Sequence, residues 1–286
     1  HIMNDKNIQI LLTNDDSIHS PGLWAAAEAL DTLGFVHVVA PLRQQTSTGH
    51  SMPATSTGII EKMTLHVNGR DWDVFAVDGS PGQSVDHGVF DVIKEKPDLV
   101  VSGINYGENV GSALTVSGTI GAALEAASLD IPALAVSMQT GKEHHFTHSP
   151  DIDFSVAGHF TQLIAKKMLE KSLPEDVDVL KVDVPMDATP ETPLAITRQS
   201  RIRHYFPVPA SRASLSNHGP MGYDIIFQPE KLEKDSDIYA LLIEKKVSVT
   251  PISIDLTSRT DLDTLANLLD NCLLYTSDAA DEEDSV

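Results

Sequence analysis

The chain has 286 residues, 41% of them hydrophobic, and a formal charge of −21 at pH 7. That length holds one large α/β domain, or a core with a smaller extension. The acidity speaks against a basic nucleic-acid-binding surface. It leaves room for a small anionic substrate, because a bound divalent cation reverses the local field.

Residues 8–13 read as a buried first strand. Pro21 opens a helix predicted to run to residue 33, with Leu23, Ala27 and Leu30 on one face and Gly34 as its stop. Residues 36–40 form a second apolar strand closed by Pro41, and the polar stretch 42–56 a loop. Residues 72–77 are a third strand, 85–94 a helix and 99–102 a strand. The Ala-rich stretch 118–129 reads as helix, 132–138 as strand and 154–171 as helix. Strands alternating with helices imply a Rossmann-like, doubly wound α/β fold with a mostly parallel sheet. This core is expected over residues 3–186 and should carry the site.

From residue 187 the pattern changes to a turn-rich linker with Pro190 and Pro193, then strand-like pieces at 223–228 and 247–254 without regular helices. A short amphipathic helix is expected at 262–274. Residues 187–276 are therefore expected to form a β-rich extension for oligomerisation, and 277–286 an acidic disordered tail. No run of about 18 apolar residues predicts a transmembrane helix. The first residues lack the layout of a signal peptide, and His1-Ile2 ahead of Met3 reads as residues left from cloning. Cys272 is the single cysteine and has no metal-ligand spacing. These features fit a cytoplasmic enzyme that does not engage membranes.

Four polar segments follow predicted strands. Asn14-Asp15-Asp16 comes first, and two adjacent carboxylates in a loop can share one hard cation. The same triplet suits an Asx-turn and helix N-cap. Ser102-Gly103-Ile104-Asn105-Tyr106-Gly107-Glu108-Asn109 offers close backbone approach and a neutral amide oxygen at Asn105; it also suits a plain Gly/Asn turn. Ser117-Gly118-Thr119 precedes the Ala-rich helix, where free N–H groups attract phosphate, or where Ser117 simply caps. Thr46-Ser47-Thr48-Gly49-His50-Ser51 is a hydroxyl-rich loop. In a parallel sheet these loops crowd one edge, which argues for a metal-plus-phosphate site. His144 and His148 have His-x-x-x-His spacing but lie in a polar loop closed by Pro150, and are read as surface residues. Arg43 is the nearest basic residue in sequence to these loops.

With these motifs the chain resembles the survival protein E (SurE) family of 5′-nucleotidases, from about Ile8 to Thr257. The resemblance rests on Leu11-Leu12-Thr13-Asn14-Asp15-Asp16, Ala40-Pro41 with Thr48-Gly49-His50-Ser51, Val101-Ser102-Gly103-Ile104-Asn105, Ser117-Gly118-Thr119 and Thr197-Arg198-Gln199-Ser200. Ser248-Val249-Thr250-Pro251 and Asp255-Leu256-Thr257 also fit. It implies one divalent metal ion per subunit, Mg²⁺ or Mn²⁺, held by Asp15, Asp16, Thr46 and Asn105. It further implies that Asn109 and Ser117 lie beside the phosphate, with Asp15 and Asp16 also serving catalysis. Asn14, Gly118 and Thr119 complete the expected phosphate-binding set. The expected fold is a Rossmann-like core whose extension exchanges between subunits, giving a homodimer or homotetramer. The family's pattern differs at Ser17, where it has Gly; at Thr46, where it has Ser; and at Gly79-Ser80-Pro81-Gly82-Gln83-Ser84, where it has Gly-Thr-Pro-x-Asp-Cys.

The expected reaction is metal-dependent hydrolysis of the phosphate monoester of nucleoside 5′-monophosphates. The rivals are a broader phosphatase acting on 3′-nucleotides or short polyphosphate, and a nucleotide-binding module without catalysis.

Overall fold

The computed structural model describes residues 8–269. A compact unit runs through Ile254 and a second begins at Asp255. The first is built on a nine-stranded sheet. Its strands in chain order are β1 (Gln9–Thr13), β2 (Phe35–Pro41), β3 (Ile60–Val67), β4 (Arg70–Val77), β5 (Leu99–Tyr106), β6 (Ala133–Met138), β7 (Val179–Val184), β8 (Leu194–Ile196) and β11 (Val247–Ile252). A separate two-stranded hairpin pairs β9 (Tyr205–Val208) with β10 (Gly222–Ile225). The helices of this unit are α1 (Pro21–Leu30), α2 (Pro81–His87), α3 (Gly118–Ser128), α4 (Ser155–Glu170) and α5 (Asp237–Leu242).

Strand order is β3-β4-β2-β1-β5-β6-β7-β11-β8. From β4 to β7 all neighbours are parallel, while β3 and β11 join antiparallel. The order reverses direction at β1, between β2 and β5. This is the switch point beyond whose carboxyl ends a ligand crevice opens. The alternation of β1 explains why both faces are covered. Ile10 and Leu12 join the core under α1 and α4, and Leu11 the core under α2 and α3.

Several elements differ from the sequence expectation, each for a physical reason. Strand β3 is unpredicted because its Glu61, Lys62, Thr64 and His66 look polar. It is an edge strand whose turn, Asn68-Gly69, has both residues at positive φ (49° and 81°), as a tight hairpin needs. Helix α2 begins at Pro81, not residue 85. Ser80 and Gln83 form a reciprocal capping box, with Ser80 N–H donating to Gln83 Oε1 (3.0 Å) and Gln83 N–H to Ser80 Oγ (3.2 Å). A wider helical turn, Gly88–Ile93, then completes that segment. Helix α1 stops at Leu30, three residues early. Strand β5 continues to Tyr106, so the Ser102–Asn109 motif begins inside the sheet and not in a loop.

The segment after 187 also departs from expectation. It contains a helix, α5, capped by Ser236. Its β8 and β11 extend the main sheet, with β11 pairing antiparallel to β7. In the second unit, α6 (Leu262–Leu268) is capped by Asp261 and leaves Leu262, Leu265 and Leu268 exposed. The remainder of the helix expected at 262–274, the acidic tail at 277–286 and Cys272 lie outside the described residues, as do residues 1–7. No described helix is long and apolar enough to cross a membrane.

Gly121 in α3 faces the backbone of the 46–51 loop: a Cβ there would stand 2.3 Å from Gly49 O. Ala is normally favoured over Gly inside a helix by about 1 kcal/mol. Here the contact is backbone on backbone and cannot be relieved by a rotamer change, an overpacking that costs about 1–3 kcal/mol. Gly121→Ala should therefore lower the melting temperature, measured by calorimetry. A rise would show that the loop is free to move away.

Candidate active site

The residues after β1 turn sharply and stay buried. Asn14 Nδ2 donates to Ser17 O (2.9 Å), closing the turn, and Ser17 lies at φ 84°. That left-handed conformation suits Gly and is strained for Ser. The turn is pinned from the neighbouring strand's loop, with Gln45 N–H donating to Asp15 O (2.7 Å) and Ile18 N–H to Pro41 O (2.9 Å). Asn14 thus closes the turn as a donor and forms no Asx-turn, its Oδ1 being buried without a partner. The N-cap of α1 is Ser20, and neither the Asp15 nor the Asp16 carboxylate caps it.

Asp15 Oδ1 accepts from Thr119 Oγ1 (2.7 Å) at the start of α3. Gly118 makes this approach possible, because a Cβ there would lie 2.8 Å from Asp15 Cβ. Asp16 Oδ1 accepts from Gln44 Nε2 (2.9 Å) and Oδ2 from Tyr106 N–H (3.1 Å). The two carboxyls are 3% and 1% exposed, and among the described residues no Lys or Arg pairs with either. Burial pushes the Asp15 carboxyl up to about 6, against the Thr119 hydroxyl and nearby backbone N–H groups that hold it down. Burial, then the charge of Asp15, pushes Asp16 well above the usual carboxylate range, against Tyr106 N–H and Gln44.

A cavity of about 440 Å³ opens beside them. Asp15, Thr46, Asn105, Asn109 and Ser117 line it, whereas Asn14, Asp16, Gly118 and Thr119 stand behind. Thr46 Oγ1 is buried with no hydrogen-bond partner. Asn105 spends its Nδ2 on Gly107 O (2.7 Å) and Tyr106 O (3.3 Å), which leaves its amide oxygen unspent. Two repelling carboxylates, an orphaned hydroxyl and an unspent amide oxygen fit a hard divalent cation. The described residues hold no cluster of three or more His, Cys, Asp or Glu, so a softer nitrogen or sulfur site has no basis among them.

Ser117 caps α3, its Oγ accepting from Ile120 N–H (3.3 Å) while its own proton stays available. Capping and ligand contact are therefore compatible there. Thr119 is fully buried, and its hydroxyl proton is committed to Asp15. Asn109 Nδ2 donates to Ser137 Oγ (2.8 Å). Arg203, not Arg43, is the basic residue on the cavity wall. His148 is exposed, as expected of a surface residue, yet its Nε2 meets Asp16 O (2.6 Å) and braces the turn.

The far wall was not foreseen. Tyr205 on β9, Tyr223 on β10, His145 and Phe146 line it. The rings of His145 and Tyr223 lie 10° from parallel, with Nδ1 2.8 Å from the Tyr hydroxyl. Tyr205 and Tyr223 meet edge to face, centroids 5.6 Å apart. Burial pulls the His145 imidazole below its ordinary range, so it is neutral at pH 7. No local motif marks these residues, because they come together only when the hairpin folds over the sheet edge.

A doubly wound α/β sheet with buried carboxylates at its switch point defines a protein that works on a ligand beyond the carboxyl ends of its strands. The sequence profile described as "Survival protein SurE" matches residues 10–205. The 5′-nucleotidase SurE of Thermococcus kodakarensis is 43% identical over 271 residues, spanning 92% of this chain and 98% of the relative. That of Archaeoglobus fulgidus is 42% identical over 269 residues, with the same coverage of 92% and 98%. The crystal structure of the SurE protein from Aquifex aeolicus superposes with a TM-score of 0.72 at 32% identity, covering 91% of this chain and 99% of that one. The chain belongs to the SurE family.

The raised carboxyl pKa values set a pH dependence for the metal-free protein. Asp15 keeps its proton to about pH 6 when folded but only to about 3.8 when unfolded, so folding takes up a proton between those values. Stability therefore falls as pH rises through that window, and the full cost persists above it. In EDTA at pH 7, Asp16→Asn should raise the melting temperature by a few degrees, corresponding to about 1–3 kcal/mol. Near pH 4, where both carboxyls are neutral in the fold, mutant and wild type should melt together. An Asp16→Asn protein that melts lower at pH 7 would mean that the carboxylate stabilises the fold.

Proposed function

We propose that the protein hydrolyses nucleoside 5′-monophosphates to nucleoside and phosphate, with Asp15, Asp16, Thr46 and Asn105 holding one Mg²⁺ or Mn²⁺ ion. The observation that carries this reading is the pair of buried carboxylates without a cationic partner, beside an orphaned hydroxyl at the cavity edge. The names of the relatives, 5′-nucleotidase SurE, support the substrate class. When bound, the ion supplies charge neutralisation for the phosphate and a polarised water for in-line attack.

The chain's own residues do the rest. Thr119 and Gly118 fix Asp15, and Gln44 with the Tyr106 N–H fix Asp16, so both carboxylates present one orientation each. Ser117 directs its hydroxyl proton to a phosphate oxygen, backed by the N-terminal end of α3. Asn109 contributes its remaining amide group to the equatorial oxygens. Asn14 acts by closing the turn, and Gly118 and Thr119 act through Asp15 more than by direct contact. The aromatic wall receives the nucleoside, since stacking on Tyr or His suits any base. We further propose that the enzyme works in the cytoplasm as a homodimer or homotetramer, with the exposed leucines of α6 taking part in assembly.

Phosphate release from AMP should cease in excess EDTA and return with Mn²⁺, and Asp16→Asn should lower it by at least 100-fold while the protein stays folded. Turnover of 3′-AMP or short polyphosphate as fast as AMP would move the reading to a broader phosphatase. Nucleotide binding without release would make it a binding module. Tyr223→Leu should raise KM for AMP about tenfold, the effect of losing one stacked base at about 1–3 kcal/mol. Its KM for glycerol phosphate, which has nothing to stack, should stay within twofold. Equal effects on both substrates would remove the aromatic wall from recognition.

A further inference from the structure

Three charged side chains lie fully buried behind the cavity: Lys181 on β7, Asp183 two residues further along the same strand, and Asp237 on α5. Lys181 Nζ donates to Asp183 Oδ2 (2.5 Å) and to Asp237 Oδ2 (3.1 Å). One ammonium thus joins two carboxylates. Both carboxylates reach the segment after β5: Asp183 Oδ1 accepts from Asn109 N–H (2.7 Å), and Asp237 Oδ2 from Gly111 N–H (3.1 Å). Asp237 Oδ1 also accepts from Ser200 N–H (3.0 Å). The same segment is gripped again from the later chain, with Gln199 Nε2 donating to Gly111 O (3.0 Å) and Ser112 N–H to Ile202 O (3.1 Å).

Such a cluster is a poor way to stabilise a core. Replacing a buried ion pair by apolar groups of similar volume is often neutral or favourable. Here burial drives the Lys181 ammonium toward losing its proton, and only the two carboxylates outweigh that and leave its pKa raised. What the cluster does supply is direction. Asn109 has its backbone N–H fixed by Asp183 and its Nδ2 by Ser137, so the rest of its amide is aimed with little freedom. Charged acceptors hold N–H donors more tightly than neutral ones do.

We propose that Asp183, held by Lys181, is a positioning residue that orients Asn109 toward the transferred phosphate. The inference rests on the reading of Asn109 as a phosphate-binding residue. In this arrangement Asp237 and Gln199, both from the chain after residue 187, support catalysis from behind without themselves touching substrate.

The test uses the full chain loaded with Mn²⁺ and AMP as substrate. Asp183→Ala should lower kcat by 10–100-fold, the scale of a misplacement near 1 Å, with KM and the half-saturating Mn²⁺ concentration within threefold. Asp183→Asn offers one oxygen to two donors, Asn109 N–H and Lys181 Nζ, and should recover only part of the kcat. In the Asn109→Ala background, Asp183→Ala should cost less than threefold more, because its effect passes through the missing side chain. Asp183→Leu also removes the acceptor but leaves Lys181 paired with Asp237, so no buried charge is stranded. It should melt near the wild-type temperature and still show the loss in kcat, which a merely structural role would not produce. Wild-type kcat in the folded Asp183→Leu protein, or losses that multiply in the Asn109→Ala background, would overturn the proposal. Unchanged kcat in Asn109→Ala alone would overturn the phosphate reading of Asn109, and the inference with it.

Discussion

Two adjacent carboxylates buried at the end of one strand repel each other and lose their water, and nearly everything else at this site is arranged around that cost. Thr119 and the N-terminal turn of α3 meet Asp15, while Gln44 and the Tyr106 N–H meet Asp16. Each of these partners is a neutral donor. They soften the repulsion without cancelling it, whereas a lysine or arginine in their place would quench the paired negative charge that suits the site to a hard cation. The strain at Ser17 belongs to the same constraint. The chain must reverse within a few residues of β1 to leave both carboxyls facing inward, and Ser17 adopts φ 84° to do so.

Close packing follows from the same demand. Gly118 lets α3 start against Asp15, and Gly121 lets the helix lie on the backbone of the hydroxyl loop. At both positions a single methyl group would push apart elements that must share one small volume. The site is therefore assembled at the ends of three strands, β1, β2 and β5, pressed together as a switch point in a parallel sheet allows. The later chain then closes it. Strand β11 pairs with β7, α5 places Asp237 beside Lys181, and the β9–β10 hairpin brings two tyrosines over the cavity.

Much of this was legible in order along the chain. The apolar runs of β2, β5 and β6 are flanked by Pro or Gly and that of β1 by polar residues, and the helix over 118–128 shows in its alanines. The polar segments after those strands could be placed at one edge, since a parallel sheet puts every such loop there. Edge strand β3 was missed because half its residues face solvent, although its Asn68-Gly69 turn was a readable signal. The start of α2 was likewise readable from Ser80 and Gln83, whose reciprocal bonds explain why neutral polar residues stand there.

What the sequence determines alone is local: hydrophobic period, turn chemistry, and which loops carry oxygen donors suited to a hard cation. These depend on neighbours a few residues away. Which donors face the cavity and which stand behind it was decided only by tertiary structure. Asp15 and Thr119 are 104 residues apart, Asp16 and Tyr106 are 90 apart, and Asn109 and Asp183 are 74 apart. The aromatic wall and the buried Lys181 cluster depend on the hairpin and α5 returning to the sheet, and no periodicity records that return. A buried charge is tolerated only where its partners arrive from distant segments, so its role becomes readable only once those segments have met.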